Sequence, residues 1–232
     1  LDQNMQQINQ SLVKEIRQKF CNVEKCPISG DRIFFENAGG ALTLRSAVET
    51  STKFAAIPDN QGRDNLTSNT LNSIIKNAKN DLSYLLNTHS GEFFMGESGT
   101  ELLFRLIRNS LLASPSGGSI VGTSLEHPAS RSAAKKWADE MDYTYCSVPH
   151  NVEMGTVDPE AYANHISETT RVVTIVHASP VTGMGTQIRE ISKIIRQKAP
   201  LAFIIVDGIQ HAAHGGIDIE RYDIDGYVIS PY

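Results

Sequence analysis

The shortages in this sequence are its first guide. Cysteine is scarce: Cys21, Cys26 and Cys146 are the three in 232 residues, and they form no CxxC pair. So odd and scattered a set supports neither a disulfide framework nor a zinc ribbon, and reduced structural thiols are expected. Positive charge is also short, with 21 Lys and Arg against 26 Asp and Glu for a net charge of −5. With no basic cluster to meet a phosphate backbone, nucleic-acid binding is set aside. Nothing approaches the roughly eighteen uninterrupted apolar residues of a membrane helix, and Leu1 to Gln10 is polar rather than a basic-then-apolar leader. The expectation is a cytoplasmic chain with no membrane partner. Internal repeats and low-complexity tracts are missing too, which argues for one continuous domain.

The residues present are ordinary in amount and regular in arrangement. Hydrophobic residues make up 40% and charged residues 20%, the balance of a globular chain long enough to bury a sizeable core. Met5, Ile8, Leu12, Ile16 and Phe20 recur every three or four residues and predict an amphipathic helix over Asn4–Phe20. A strand over Arg32–Phe35 and helices over Leu44–Ala56 and Thr70–Leu86 come next.

From Glu92 short β-branched runs alternate with helical segments. Strands are expected at Glu92–Met95, Ser119–Thr123, Tyr143–Val148, Arg171–Ala178, Ala202–Asp207 and Gly226–Ser230, with helices at Thr100–Ala113, Ala129–Glu140, Pro159–Ile166 and Ile188–Ala199 between them. This alternation predicts an α/β fold, a mainly parallel sheet sandwiched by helices. An N-terminal helical arm over residues 1–31 would precede a large domain over 32–232.

Ligands of such sheets sit at the carboxyl ends of strands, so the residues there are the candidates. Gly96-Glu97-Ser98-Gly99-Thr100 leads into an apolar helix and suits either an anion cradle or a plain helix cap. It is neither a GxxxxGK[ST] loop nor a GxSxG elbow. His127 stands between the Ser119–Thr123 run and the next helix, where a capping role competes with a catalytic one. Asp207 closes the uninterrupted apolar run Ala202–Val206. A carboxylate there is costly to desolvate without a cation or a donor, although an aspartate can also cap the next helix. His211 and His214 lack a third ligand at suitable spacing, so no metal is expected.

Together these strand ends resemble the class V aminotransferase superfamily of fold type I pyridoxal-phosphate enzymes, in its cysteine desulfurase-like branch. The resemblance spans Arg32 to Tyr232 and is carried most clearly by Phe34-Phe35-Glu36-Asn37-Ala38-Gly39-Gly40 and Val206-Asp207-Gly208-Ile209-Gln210-His211. It implies pyridoxal 5'-phosphate as cofactor, with Gly99 and Thr100 at its phosphate, His127 stacked on its ring and Asp207 on its pyridine nitrogen. Gln210 would reach the ring hydroxyl, Ser230 would be a further phosphate ligand, and Tyr232 would also belong to the cofactor site. Asp207 and His127 are the residues expected to serve catalysis. Asn37, Ala38 and Gly39 are expected on the substrate side, although a glycine pair equally suits a tight turn.

The family pattern after the last strand is S-x-x-K, and Ser230-Pro231-Tyr232 supplies three of its four positions. The expectation is a longer subunit whose reactive lysine comes directly after Tyr232; a truncated protein that binds the cofactor without catalysis is the alternative. Ser179-Pro180-Val181-Thr182-Gly183 departs from the desulfurase S-N-x-x-G segment and is more like the epimerase and carbon–sulfur lyase branch. The resemblance thus implies a desulfurase-like or carbon–sulfur lyase enzyme acting on a small amino-acid substrate as a homodimer. A class V aminotransferase or epimerase is the other enzymatic reading.

Overall fold

Asn9 decides where the first helix begins. Its backbone is extended (φ −68°, ψ 104°) and its side-chain oxygen accepts from Ser11 N at 3.0 Å and Leu12 N at 3.3 Å. In this computed structural model, which describes residues 9–58 and 62–230, α1 therefore runs over Gln10–Gln18. Of the helix expected over Asn4–Phe20, Gln10–Gln18 forms with Asn9 as its cap; residues 4–8 lie outside the described residues.

The strand expected at Arg32–Phe35 does not form. Instead β1 (Lys25–Cys26) and β2 (Gly30–Asp31) make an antiparallel hairpin whose turn uses Gly30 at φ +84°. One further bond, Arg32 N to Glu24 O at 2.9 Å, extends it. Beyond that the segment has no ladder partner among the described residues, and Ile33 and Phe35 are 88% and 93% exposed. An apolar run without a neighbouring strand has nowhere to place its backbone donors and acceptors except water. Helix α2 (Arg45–Ala55) forms as expected. Helix α3 (Leu66–Leu86) starts one turn before the predicted Thr70, because Asn65 accepts from Ser68 N at 2.8 Å. The chain divides into two compact units between Ile75 and Lys76, part way along α3.

In the second unit the expected strand Glu92–Met95 is also absent: the segment joins no ladder among the described residues, and Phe94 and Met95 are exposed. From there the alternation holds. Helix α4 (Gly99–Leu112) leads to β3 (Ser119–Thr123), α5 (Pro128–Glu140), β4 (Thr144–Val148), α6 (Pro159–Ala163) and β5 (Thr170–Val176). Then come α7 (Ile188–Lys198), β6 (Phe203–Asp207), a single 3-10 turn at Ile219–Arg221, and β7 (Gly226–Val228).

The five strands pair in the order β4-β3-β5-β6-β7, every pair parallel. Alternate residues of these runs feed two cores. Ile120, Val172, Ile205 and Val228 pack with α4 and α5 through Leu103, Ile107, Leu111, Ala133 and Ala134. Val121, Val173, Ile175, Ile204 and Val206 pack on the opposite face with α6 and α7 through Tyr162, Ile188, Ile191 and Ile195. Burial on both faces explains why these strands read as continuous apolar runs. The chain leaves β3 toward β4 and returns on its other side as β5, a reversal that opens a crevice at the strands' carboxyl ends. No helix among the described residues is long and apolar enough to cross a membrane.

Candidate active site

The carboxyl ends of β3, β6 and β7 and the amino terminus of α4 supply the predicted residues of the second unit. Ser98 caps α4 from extended backbone, its hydroxyl accepting from Glu101 N at 3.1 Å. The amides of Gly99 and Thr100 have no acceptor among the described residues, so the helix end presents two free donors and the positive end of its dipole. Gly99 touches the turn after β6: a Cβ on it would lie 2.2 Å from Ile209 Cδ1. That contact brings the α4 terminus to Asp207.

Asp207 is 4% exposed and ends β6. No helix comes directly after it, so it caps only a turn. Its carboxylate accepts from Ile209 N at 3.2 Å, and no other protein donor reaches it among the described residues. Burial raises its pKa, opposed by the Ile209 amide and by His127 nearby. A carboxylate this buried and this sparsely bonded suits a cationic or N–H donor from a ligand.

His127 is both a cap and a site residue by position. Its Nδ1 accepts from Ala129 N at 3.1 Å at the start of α5, Pro128 holds the first helical position, and the ring is exposed toward the crevice end of β3. Gln210 lies half-buried in the turn after Asp207, and Ser230 lies half-buried two residues past β7. Tyr232 falls outside the described residues. Asn37, Ala38 and Gly39 form an exposed turn in the first unit, closed by Gly39 N to Glu36 O at 3.0 Å.

Sequence reasoning passed over two residues here. Glu126, beside His127, is 4% exposed, with Ser130 Oγ donating to it at 2.7 Å and Thr123 Oγ1 at 3.3 Å. Burial lifts its pKa to about 7, with the charge of Asp207 adding to the rise. His177 stands just past β5 as Asp207 ends β6, and its amide donates to Asp207 O at 2.8 Å. The signal that singled out Asp207, a polar residue closing an apolar run, applied equally to it.

An all-parallel doubly wound sheet with a buried aspartate, a helix amino terminus and a histidine at its strand ends defines a cofactor-binding α/β domain. The chain belongs to the aminotransferase class-V family, whose model matches residues 33–231. The cysteine desulfurase-like protein ustD of Aspergillus flavus is 28% identical over 212 residues, 88% of this chain and 48% of that protein. The apo structure of the cysteine desulfurase from Thermococcus onnurineus NA1 shares the fold with a TM-score of 0.81 at 17% identity, over 94% of this chain and 52% of that one. A lysine-to-alanine variant of C-DES with glycine covalently linked to its PLP cofactor shares it at 0.75 and 21% identity, over 93% of this chain and 55% of that one. The chain thus spans about half the length of the relatives it matches. The expected fold type I large domain is the fold observed.

Proposed function

We propose that this chain carries the cofactor-binding part of a pyridoxal-phosphate enzyme that acts on an amino acid, of the cysteine desulfurase-like or carbon–sulfur lyase kind. Asp207 is the observation that carries the reading: a buried carboxylate at a strand end with one protein hydrogen bond among the described residues matches a protonated pyridine nitrogen. The free amides of Gly99 and Thr100 at the α4 terminus suit the phosphate, with Ser230 as a further ligand. Gln210 would reach the ring hydroxyl, and His127, its ring fixed by the Ala129 bond, would cover one face.

When bound, the cofactor supplies an electron sink for the pair released as a bond to the substrate's α-carbon breaks. The protein's part is binding and electrostatics. Asp207 holds a proton on the pyridine nitrogen, and the desolvation that raises its own pKa strengthens that bond. The α4 dipole neutralises part of the phosphate charge.

Ser179 opens the Ser-Pro segment that departs from the desulfurase S-N-x-x-G pattern. It is buried, and its hydroxyl already accepts from Val181 N at 3.2 Å and Thr182 N at 3.3 Å, so it closes its own loop. A homodimer and a cytoplasmic location complete the proposal, to be checked by sedimentation equilibrium and fractionation.

The test is reconstitution with pyridoxal phosphate. Saturable binding with an absorbance band near the visible edge supports the cofactor, and mapping the borohydride-fixed peptide identifies the lysine. Release of sulfide or pyruvate from cysteine-type substrates supports the lyase, whereas consumption of a keto acid acceptor supports an aminotransferase. A protein that binds the cofactor without fixing it would be the non-catalytic alternative, and one that binds none would end the proposal.

A further inference from the structure

We propose that His177 is a positioning residue, a brace across three strand ends that fixes Asp207 and the turn after it, held on one side by Tyr227 and on another by His211. Neighbouring strands lie about 4.8 Å apart, so groups from β5 and β7 must reach across β6 to meet. They do: the Tyr227 hydroxyl and His177 Nδ1 share a hydrogen bond of 2.6 Å. Gly208 makes the passage possible, because a Cβ there would sit 2.2 to 2.4 Å from Cε1, Cζ and the hydroxyl of Tyr227. The residue after Asp207 is therefore glycine for a packing reason, and the Tyr227 ring lies over the backbone that carries the carboxylate.

The second hold is a stack. The His177 and His211 rings lie 3.5 Å apart at 16°, while Tyr222 and Tyr227 meet His177 edge-on at 5.6 Å and 5.8 Å. His211 is fixed in turn, its Nε2 donating to Gly216 O at 3.3 Å and its ring filling the space where a Cβ on Gly215 would stand. The turn between them is pinned by Ala212 N to Gly208 O at 2.9 Å. His177 thus meets both ends of the segment Asp207–His211, which also contains Gln210: its amide donates to Asp207 O and its imidazole stacks on His211. Burial and the neighbouring His211 push the pKa of His177 down to about 3, and burial pushes the Tyr227 phenol up. Both partners are neutral at physiological pH, and their bond needs no counter-ion.

The consequence for ligand binding rests on the proposed cofactor reading, and the experiment separates the two. Tyr227→Phe keeps the ring over Gly208 and removes one hydroxyl. It is expected to weaken pyridoxal-phosphate affinity about three- to tenfold with an unchanged circular dichroism spectrum. His177→Asn, which keeps a side chain able to hydrogen-bond the Tyr227 hydroxyl, is expected to retain more affinity than His177→Leu, which does not. In the His177→Leu background, adding Tyr227→Phe is expected to cost nothing more.

Hydrogen exchange of the Ile209 and Ala212 amides, read without cofactor, is expected to accelerate in these variants while the β3 and β5 amides stay protected. Unchanged exchange at Ile209 and Ala212, or additive losses of affinity, would overturn the brace. A wild-type protein that binds no pyridoxal phosphate but shows the exchange response would end the cofactor reading, and with it the brace's role in ligand positioning.

Discussion

Gly99 and Ile209 stand so close that a Cβ on the glycine would lie 2.2 Å from the isoleucine Cδ1 and 3.1 Å from its Cγ1. One comes from the first turn of α4, the other from the turn after β6, so this contact sets the spacing between a helix dipole and the carboxylate of Asp207. Glycine is needed for proximity rather than for an unusual dihedral. A single methyl can be met by rotating the end of Ile209, but a branched side chain cannot. Gly99→Val is therefore expected to cost about 1–3 kcal/mol by overpacking, measured by denaturant unfolding. It should weaken pyridoxal-phosphate binding more than Ile209→Val, which only loosens the same contact.

Asp207 gives the opposite balance between stability and function. Its raised pKa means that the folded state holds a proton more tightly than the unfolded chain. Its contribution to stability is therefore present below the ordinary carboxylate range and lost as pH rises through the folded value. At pH 8 Asp207→Asn is expected to melt at or above the wild-type temperature, while turnover and the cofactor's absorbance change sharply. Equal turnover in the variant with bound cofactor would mean that the pyridine nitrogen has another partner.

Glu126 offers a cleaner pH signature because it is wholly enclosed. Its pKa moves from 4.5 to about 7 on folding. Between those values the folded state keeps a proton the unfolded chain has released, so stability falls as pH rises across the window, by roughly 3 kcal/mol in total. His177, lowered from 6.5 to about 3, acts the other way and adds stability as pH rises from 3 toward 6.5. The wild-type profile mixes the two. Glu126→Gln keeps the shape and removes the titration, so its stability relative to wild type is expected to improve from pH 4.5 to about pH 7 and to level off above it. A parallel pair of profiles from urea titrations would show that Glu126 stays ionised when folded.

These residues also show which features were legible in the sequence and which were hidden. Asp207 stood out because an aspartate after five apolar residues is hard to explain by packing alone. His177 closes a comparable run, Val172–Val176, but a neutral imidazole is cheaper to bury and drew no notice. The parallel strands were legible within one or two residues, since burial on both faces leaves a continuous β-branched signature. Arg32–Phe35 and Glu92–Met95 carry similar residues and form no strand, because pairing depends on a neighbour and no local pattern reveals one. The starts of α1 and α3 turned on Asn9 and Asn65, single capping side chains that compete with apolar periodicity. The Tyr227–His177 bond joins residues fifty positions apart, beyond the reach of any spacing rule.

His127 tests whether one side chain serves two ends at once. Its Nδ1 accepts the Ala129 amide and so caps α5, while its exposed ring stands beside Asp207. His127→Ala removes both, His127→Asn keeps a capping oxygen and loses the ring, and the pair separates the roles. The alanine variant is expected to lose about 1 kcal/mol of stability, the usual cost of an N-cap, and the asparagine variant to regain most of it. Cofactor retention should not track that order. If the ring covers the cofactor, both variants release pyridoxal phosphate on dialysis faster than wild type and to a similar extent, because both lack an aromatic face. Retention restored along with stability in His127→Asn would instead mean that His127 acts on the site only through the position of α5.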